Sequence, residues 1–203
     1  MKKENDLKIT IMGDSNIATS MFCDLSGEMR RTTEINLITK LKEKTTWDIT
    51  PYACLTIVRN KQNEPSYTEA IETAEGGDIL FLQGTDNDQG LGTELGDKAS
   101  HDIGTYYGAL RAIAKKAKRK FNKVIFATDF QVTQDEKYAM FNNALRVVAK
   151  ENGFGLIDFY NIDFFKVTEK NKNHLLPDNE HMSEEGLEKY ADILIDHILK
   201  EGI

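Results

Sequence analysis

Serine, aspartate and histidine stand at opposite ends of this chain in an arrangement that could perform nucleophilic catalysis. Ser15 sits in Gly13-Asp14-Ser15-Asn16, directly after the apolar run Leu7 to Met12. Asp178 and His181 sit in Asp178-Asn179-Glu180-His181, just ahead of a closing helical stretch. A serine hydroxyl is a weak nucleophile until a base takes its proton, and histidine, which titrates near neutrality, is the usual base. A carboxylate then holds the imidazole in the right tautomer and stabilises its cation. Asp178 and His181 are three positions apart, so one short turn can deliver both. Alone, each has a simpler reading: Ser15 as a helix cap, Asp178 as a turn residue after Pro177, His181 as a solvated loop residue. The combination points to acyl chemistry, with Ser15 as nucleophile, His181 as base and Asp178 as orienter.

These residues need a scaffold that brings the chain ends together. Leu7 to Met12 reads as a first strand, and Trp47 to Ile57 as a weaker one broken by Pro51. Asp78 to Gln83 and Lys123 to Thr128 are nearly continuous apolar runs, as expected of strands buried on both faces. Gly155 to Phe159 reads as the last strand. Helical spacing marks Thr32 to Lys44, Tyr67 to Ala74, Thr105 to Phe121, Asp135 to Asn152 and Ser183 to Lys200. Gly153 is placed to end the fourth of these helices, and Ser183 to cap the fifth. Gly84 to Gly104 is a long loop, and loops of that length are usually functional or mobile. Five strands alternating with helices predict one α/β domain over 1–203, a parallel sheet with helices on both faces. Ligands in such sheets lie beyond the carboxyl ends of the strands, where Ser15, Gly84 and the loop after the last strand all fall.

Composition narrows the classes. Hydrophobic residues make up 40% of the 203 and charged residues 29%, which reads as soluble and globular. No apolar run approaches the roughly 20 residues that span a bilayer, so no membrane partner is expected. The charged start, Met1 to Asp6, has no apolar signal core behind it, which predicts a cytoplasmic chain or one exported by a route it does not encode. A net charge of −7 argues against a nucleic-acid partner. The basic cluster Lys115, Lys116, Lys118, Arg119 and Lys120 falls at a helix end, where cations suit the dipole. Cys23 and Cys54 lack metal or redox spacing and read as buried thiols. No metal and no cofactor are expected: Asp86-Asn87-Asp88 lacks the glycine and glutamate of a calcium loop, and the glycines at 90, 92 and 96 have the wrong spacing for a dinucleotide. His101, in the long loop, is a candidate for the substrate cleft.

Gly13-Asp14-Ser15 after the first strand, Gly84-Thr85-Asp86-Asn87 after the third and Asp178-x-x-His181 before the last helix resemble the SGNH (GDSL-type) serine hydrolases, in the right order and over almost the whole chain. The resemblance implies a three-layer αβα sandwich of flavodoxin-like type with a five-stranded parallel sheet. It implies an esterase, lipase or carbohydrate deacetylase working through an acyl-enzyme on Ser15, with Asp178 and His181 completing the triad. The substrate would be a short-chain ester on a small molecule or carbohydrate. The Ser15 N–H and Asn87, or Asp86 in its place, would bind the oxyanion. Asp14, Gly84 and Cys54 fall in the matching blocks, and Gly84 would let the loop backbone approach substrate closely. Two departures stand out. The family's second block has a glycine where Tyr52 to Thr56 has none, and its third reads Gly-x-Asn-Asp where this chain reads Gly-Thr-Asp-Asn-Asp. A carboxylate at the Asn position cannot donate to an oxyanion. The alternatives are therefore a carbohydrate- or ligand-binding module on the same scaffold, with a degraded oxyanion hole, or a flavodoxin-like module cradling a phosphate at Gly13 to Asn16. An acidic rim of Asp14, Asp86, Asp88, Asp178 and Glu180 argues against the latter.

Overall fold

A computed structural model describes residues 7–18, 20–23, 29–54, 56–59, 65–131, 133, 135–178 and 180–200. Met1 to Asp6 and Asn179, along with the side chain of Cys23, lie outside what it describes. Five parallel strands form the central sheet: β1 (Lys8–Gly13), β4 (Asp48–Ala53), β5 (Gly77–Gln83), β6 (Phe121–Ala127) and β7 (Gly155–Ile157), in the order β4-β1-β5-β6-β7. The chain runs outward from β1 to β4 and then returns to β5 on the other side of β1. The connection therefore reverses between β1 and β5, and their carboxyl ends frame the crevice where such sheets bind ligands.

Alternation along the inner strands builds both faces. Ile79 and Phe81 of β5 point to one side with Ile9 and Ile11, against helices α2 (Leu37–Lys44) and α8 (Glu184–Lys200). Leu80 and Leu82 point to the other with Met12, against α3 (Tyr67–Thr73), α5 (Tyr106–Lys120) and α6 (Glu136–Asn152). The result is the three-layer α/β sandwich expected from the sequence. The middle of β1, β5 and β6 is buried on both faces, as their unbroken apolar runs require.

Several boundaries moved for physical reasons. β4 continues through Pro51, which pairs with Ile11, because β4 is an edge strand and tolerates a missing N–H. β7 stops at Ile157, where the Asp158 carboxylate turns the chain by gripping Arg146 at 3.1 and 2.8 Å and Thr128 Oγ1 at 3.0 Å. Helix α2 begins only at Leu37, after a capping box between Asn36 and Thr39. An antiparallel hairpin not foreseen from the sequence, β2 (Ser20–Cys23) and β3 (Met29–Thr32), precedes it. Gly153 ends α6 with φ 66°, the left-handed conformation anticipated there.

Candidate active site

The turn after β1 is shaped by what a side chain at Gly13 would strike. A Cβ there would lie 2.5 Å from Ile17 Cγ2 and 2.7 Å from Gln83 Oε1, so only glycine lets β1 end this close to β5. Asp14 then caps the single-turn helix α1 (Ser15–Ala18), its Oδ1 accepting from the Asn16 N–H at 2.9 Å. The capping role thus falls to Asp14, and the Ser15 hydroxyl faces elsewhere. Its Oγ lies 3.0 Å from His181 Nε2.

The partner turn is built by Asp178. Its Oδ1 accepts from the N–H groups of Glu180 (3.0 Å) and His181 (2.7 Å), and its Oδ2 lies 2.7 Å from His181 Nδ1. One carboxylate therefore fixes both the backbone and the ring of His181, which is 6% exposed. The network assigns the Nδ1 proton to the Asp178 side and leaves Nε2 as an acceptor toward Ser15. Burial works to raise the Asp178 carboxyl, but the His181 N–H, its ring and the Glu180 N–H outweigh it and hold the group below the usual carboxylate range. Ser183, capping α8, completes the turn by accepting from the Gly186 N–H at 3.2 Å.

The two turns are tied by a residue the sequence reading did not single out. Asn16 Oδ1 accepts from the N–H of Met182 at 3.2 Å, so the residue after Ser15 grips the residue after His181. Its only sequence signal was adjacency to Ser15.

A second group of carboxyls lies behind the serine. Burial pushes Asp14 up to about 6 against the opposing Asn16 N–H, and the charge of Asp86 adds to the rise. Asp86 is itself raised, by burial first and by Glu180 next, with His181 opposing. Asp129, at the end of β6, is pushed well above the usual range by burial and then by Asp86 and Asp14. It is held by the Phe130 N–H (2.9 Å) and the Tyr138 hydroxyl (2.8 Å).

Other residues named from sequence find different places. The Cys54 N–H donates to the Gly13 carbonyl at 2.8 Å, extending the β4–β1 ladder rather than facing an oxyanion, and burial pushes its thiol up to about 11. Gly84 is a packing glycine: a Cβ would meet Leu145 Cδ1 at 2.6 Å and Asp129 N at 2.8 Å, so close approach is to β6 and α6 rather than to substrate. Asp88 is buried, not part of an acidic rim, and accepts from the N–H groups of Ile57 (2.6 Å) and Val58 (3.2 Å). It thereby ties the loop after β5 to the loop after β4. Asp86 stands at the start of α4 (Asn87–Gly90), its carbonyl accepting from the Gly90 N–H at 2.9 Å, and the Asn87 N–H donates to Thr85 Oγ1 at 3.2 Å. His101 is exposed and lines a groove on the outer side of α5. Asp178, Glu180 and His181 place potential ligand atoms within 4.8 Å of one another, and Asp178 Oδ2 and His181 Nδ1 are already engaged with each other at 2.7 Å.

No family model matches the chain, and no curated protein matches it. Solved structures do. A protein from Lactobacillus plantarum has a TM-score of 0.74 at 14% identity, over 97% of this chain and 98% of that one. A candidate GDSL-like lipase from Bacteroides ovatus has a TM-score of 0.65 at 17% identity, over 96% and 99%. An acetyl xylan esterase from Geobacillus stearothermophilus has a TM-score of 0.63 at 14% identity, over 95% and 94%. The chain shares their fold over nearly its whole length.

Proposed function

We propose that this chain is a serine ester hydrolase of the SGNH type, cleaving a carboxylic ester through an acyl-enzyme on Ser15. The observation that carries the reading is the continuous relay from Ser15 Oγ through His181 to Asp178, with steps of 3.0 and 2.7 Å. Ser15 attacks the ester carbonyl while His181 Nε2 takes its proton; His181 then protonates the departing alcohol and activates the water that releases the acid. Asp178 keeps the ring in register and stabilises the imidazolium. The Ser15 N–H and the Asn87 amide serve the developing oxyanion. The fold shared with an acetyl xylan esterase supports a short acyl group on a small or carbohydrate alcohol.

Hydrolysis of p-nitrophenyl acetate near pH 8 by wild type and Ser15→Ala tests this directly. The expected result is turnover lost in Ser15→Ala, and a fluorophosphonate adduct on Ser15 of the wild type by mass spectrometry. Equal rates in both proteins, together with no adduct, would replace the hydrolase with a binding module on the same scaffold.

A further inference from the structure

The basic cluster of α5 divides by helix face. Lys116 pairs with Glu72, and Lys120 donates to the carbonyls of Glu72 (2.8 Å) and Ala74 (2.7 Å), so both hold α3. Arg111, Lys115, Lys118 and Arg119 recur at intervals of four, three and one, which stacks them on a different face. That face lines an open groove of about 800 Å³ completed by His101 and the end of α6. The volume lies in the roughly 300–1,000 Å³ range of ligand sites. Glu151, the acid in the lining, is neutralised by Arg111, which meets it at 3.2 and 2.9 Å. Lys118 lies 5.5 Å from the centre of the Phe154 ring. Lys115 and Arg119 are exposed, and among the described residues no carboxylate lies in ion-pair range of either.

We infer that this groove binds an anionic polysaccharide chain at a site separate from Ser15. Helices α5 and α6 both end at the edge where β6 and β7 begin, whereas Ser15 follows the carboxyl end of β1. With Arg111 spent on Glu151, the cations left for a ligand are Lys115, Lys118 and Arg119, which span about 6 Å of the helix axis at 1.5 Å rise per residue, room for adjacent charges along a chain. The lining offers no exposed aromatic or large aliphatic side chain. That removes the stacking platforms that hold single-stranded nucleic acid and the apolar anchors typical of peptide docking. A hydrophilic chain bearing carboxylate or sulfate groups fits what is left. With a net charge of −7 the molecule as a whole repels such a chain, so attraction must come from this local field.

The test measures binding of a fluorescent oligogalacturonate and of a sulfated heparin dodecasaccharide at 50 mM salt, with a neutral xylo-oligosaccharide, oligo-dT and polyglutamate as comparators. Ser15→Ala serves as host so that no hydrolysis intervenes. The expected result is binding of the anionic sugars alone, weakened about tenfold by Lys115→Gln with Arg119→Gln, and a salt slope reduced by about 2. Lys116→Gln removes one charge from the other face and should leave affinity unchanged, while Arg119→Gln alone should weaken it severalfold. All variants must keep the wild-type melting profile, which the exposure of Lys115 and Arg119 favours. Absence of binding, equal loss from Lys116→Gln and Arg119→Gln, or tighter binding of oligo-dT or polyglutamate would each overturn the proposal. Because binding is read without turnover, the result is independent of the ester-hydrolase reading.

Discussion

Asp14 belongs to the turn that carries Ser15 and Asp178 to the turn that carries His181, yet the fold treats the two carboxyls in opposite ways. Asp178 is partly exposed and receives two backbone N–H groups and a ring nitrogen, which keep it ionised. Asp14 is 1% exposed, receives the Asn16 N–H at 2.9 Å and a long contact from Gln83 Nε2 at 3.4 Å, and is pushed up to about 6. Hydrogen-bond donors, weighed against burial, decide how readily each of two identical groups ionises. The more readily ionised one orients the base; the other shapes the serine turn, where a cap needs an acceptor in either protonation state.

The largest effect should come from breaking the ionised side. Asp178→Asn keeps an acceptor for the Glu180 and His181 N–H groups, but its amide cannot stabilise an imidazolium and favours the wrong tautomer. Turnover should fall by about 10⁴-fold with little change in melting temperature. A fall under tenfold would mean that His181 does not act as the base. Next in size is the oxyanion site. Asn87→Ala should cost about 10²–10³-fold in kcat. If Asn87→Ala is silent and Asp86→Asn instead accelerates turnover, the donor position belongs to residue 86 and the wild-type carboxylate impairs it.

This split also marks how much was legible in the sequence. The Ser15, Asp178 and His181 contacts followed from residue types at the ends of recognisable elements, because strand and helix periodicity fixed where β1 ends and α8 begins. The buried side was legible only as composition. Asp88 reads as one acid of an acidic rim, and nothing in its spacing announces that it grips two amides about thirty residues upstream. Cys54 and Gly84 fell in the right blocks, but what they touch depends on β4 and β6 across the sheet. The hairpin β2–β3 lacks alternating apolar residues, and Pro51 reads as a breaker until β4 is known to be an edge. The basic cluster of α5 read as one helix end, and only its packing against α3 separates the two faces.

A smaller effect tests the buried side. The folded Asp14 carboxyl, at about 6, binds its proton more tightly than the unfolded one at 3.8, so the cost of ionising it is absent below pH 3.8 and complete above pH 6. That cost is up to about 3 kcal/mol, from roughly two pKa units at 1.36 kcal/mol each. Asp14→Asn keeps an acceptor for the Asn16 N–H and removes the charge. Against wild type, the variant should gain stability as pH rises from 4 to 7 in denaturant titrations. A difference that stays flat across this window would show that Asp14 is ionised without penalty.

Asn16 is the joint between the two sides, since its N–H caps onto Asp14 and its side chain holds the Met182 N–H. Asn16→Ala keeps the first bond and deletes the second, leaving a buried amide unpaired at a cost of about 1–3 kcal/mol. The serine turn would then be free to shift against His181, and displacements of this kind lower kcat while leaving substrate binding in place. The expected outcome is kcat reduced about tenfold, KM within twofold of wild type, and an intact fluorophosphonate adduct formed more slowly. Unchanged kcat with the stability loss alone would show that Asp178 suffices to hold His181 against Ser15, and that the joint serves the fold rather than the relay.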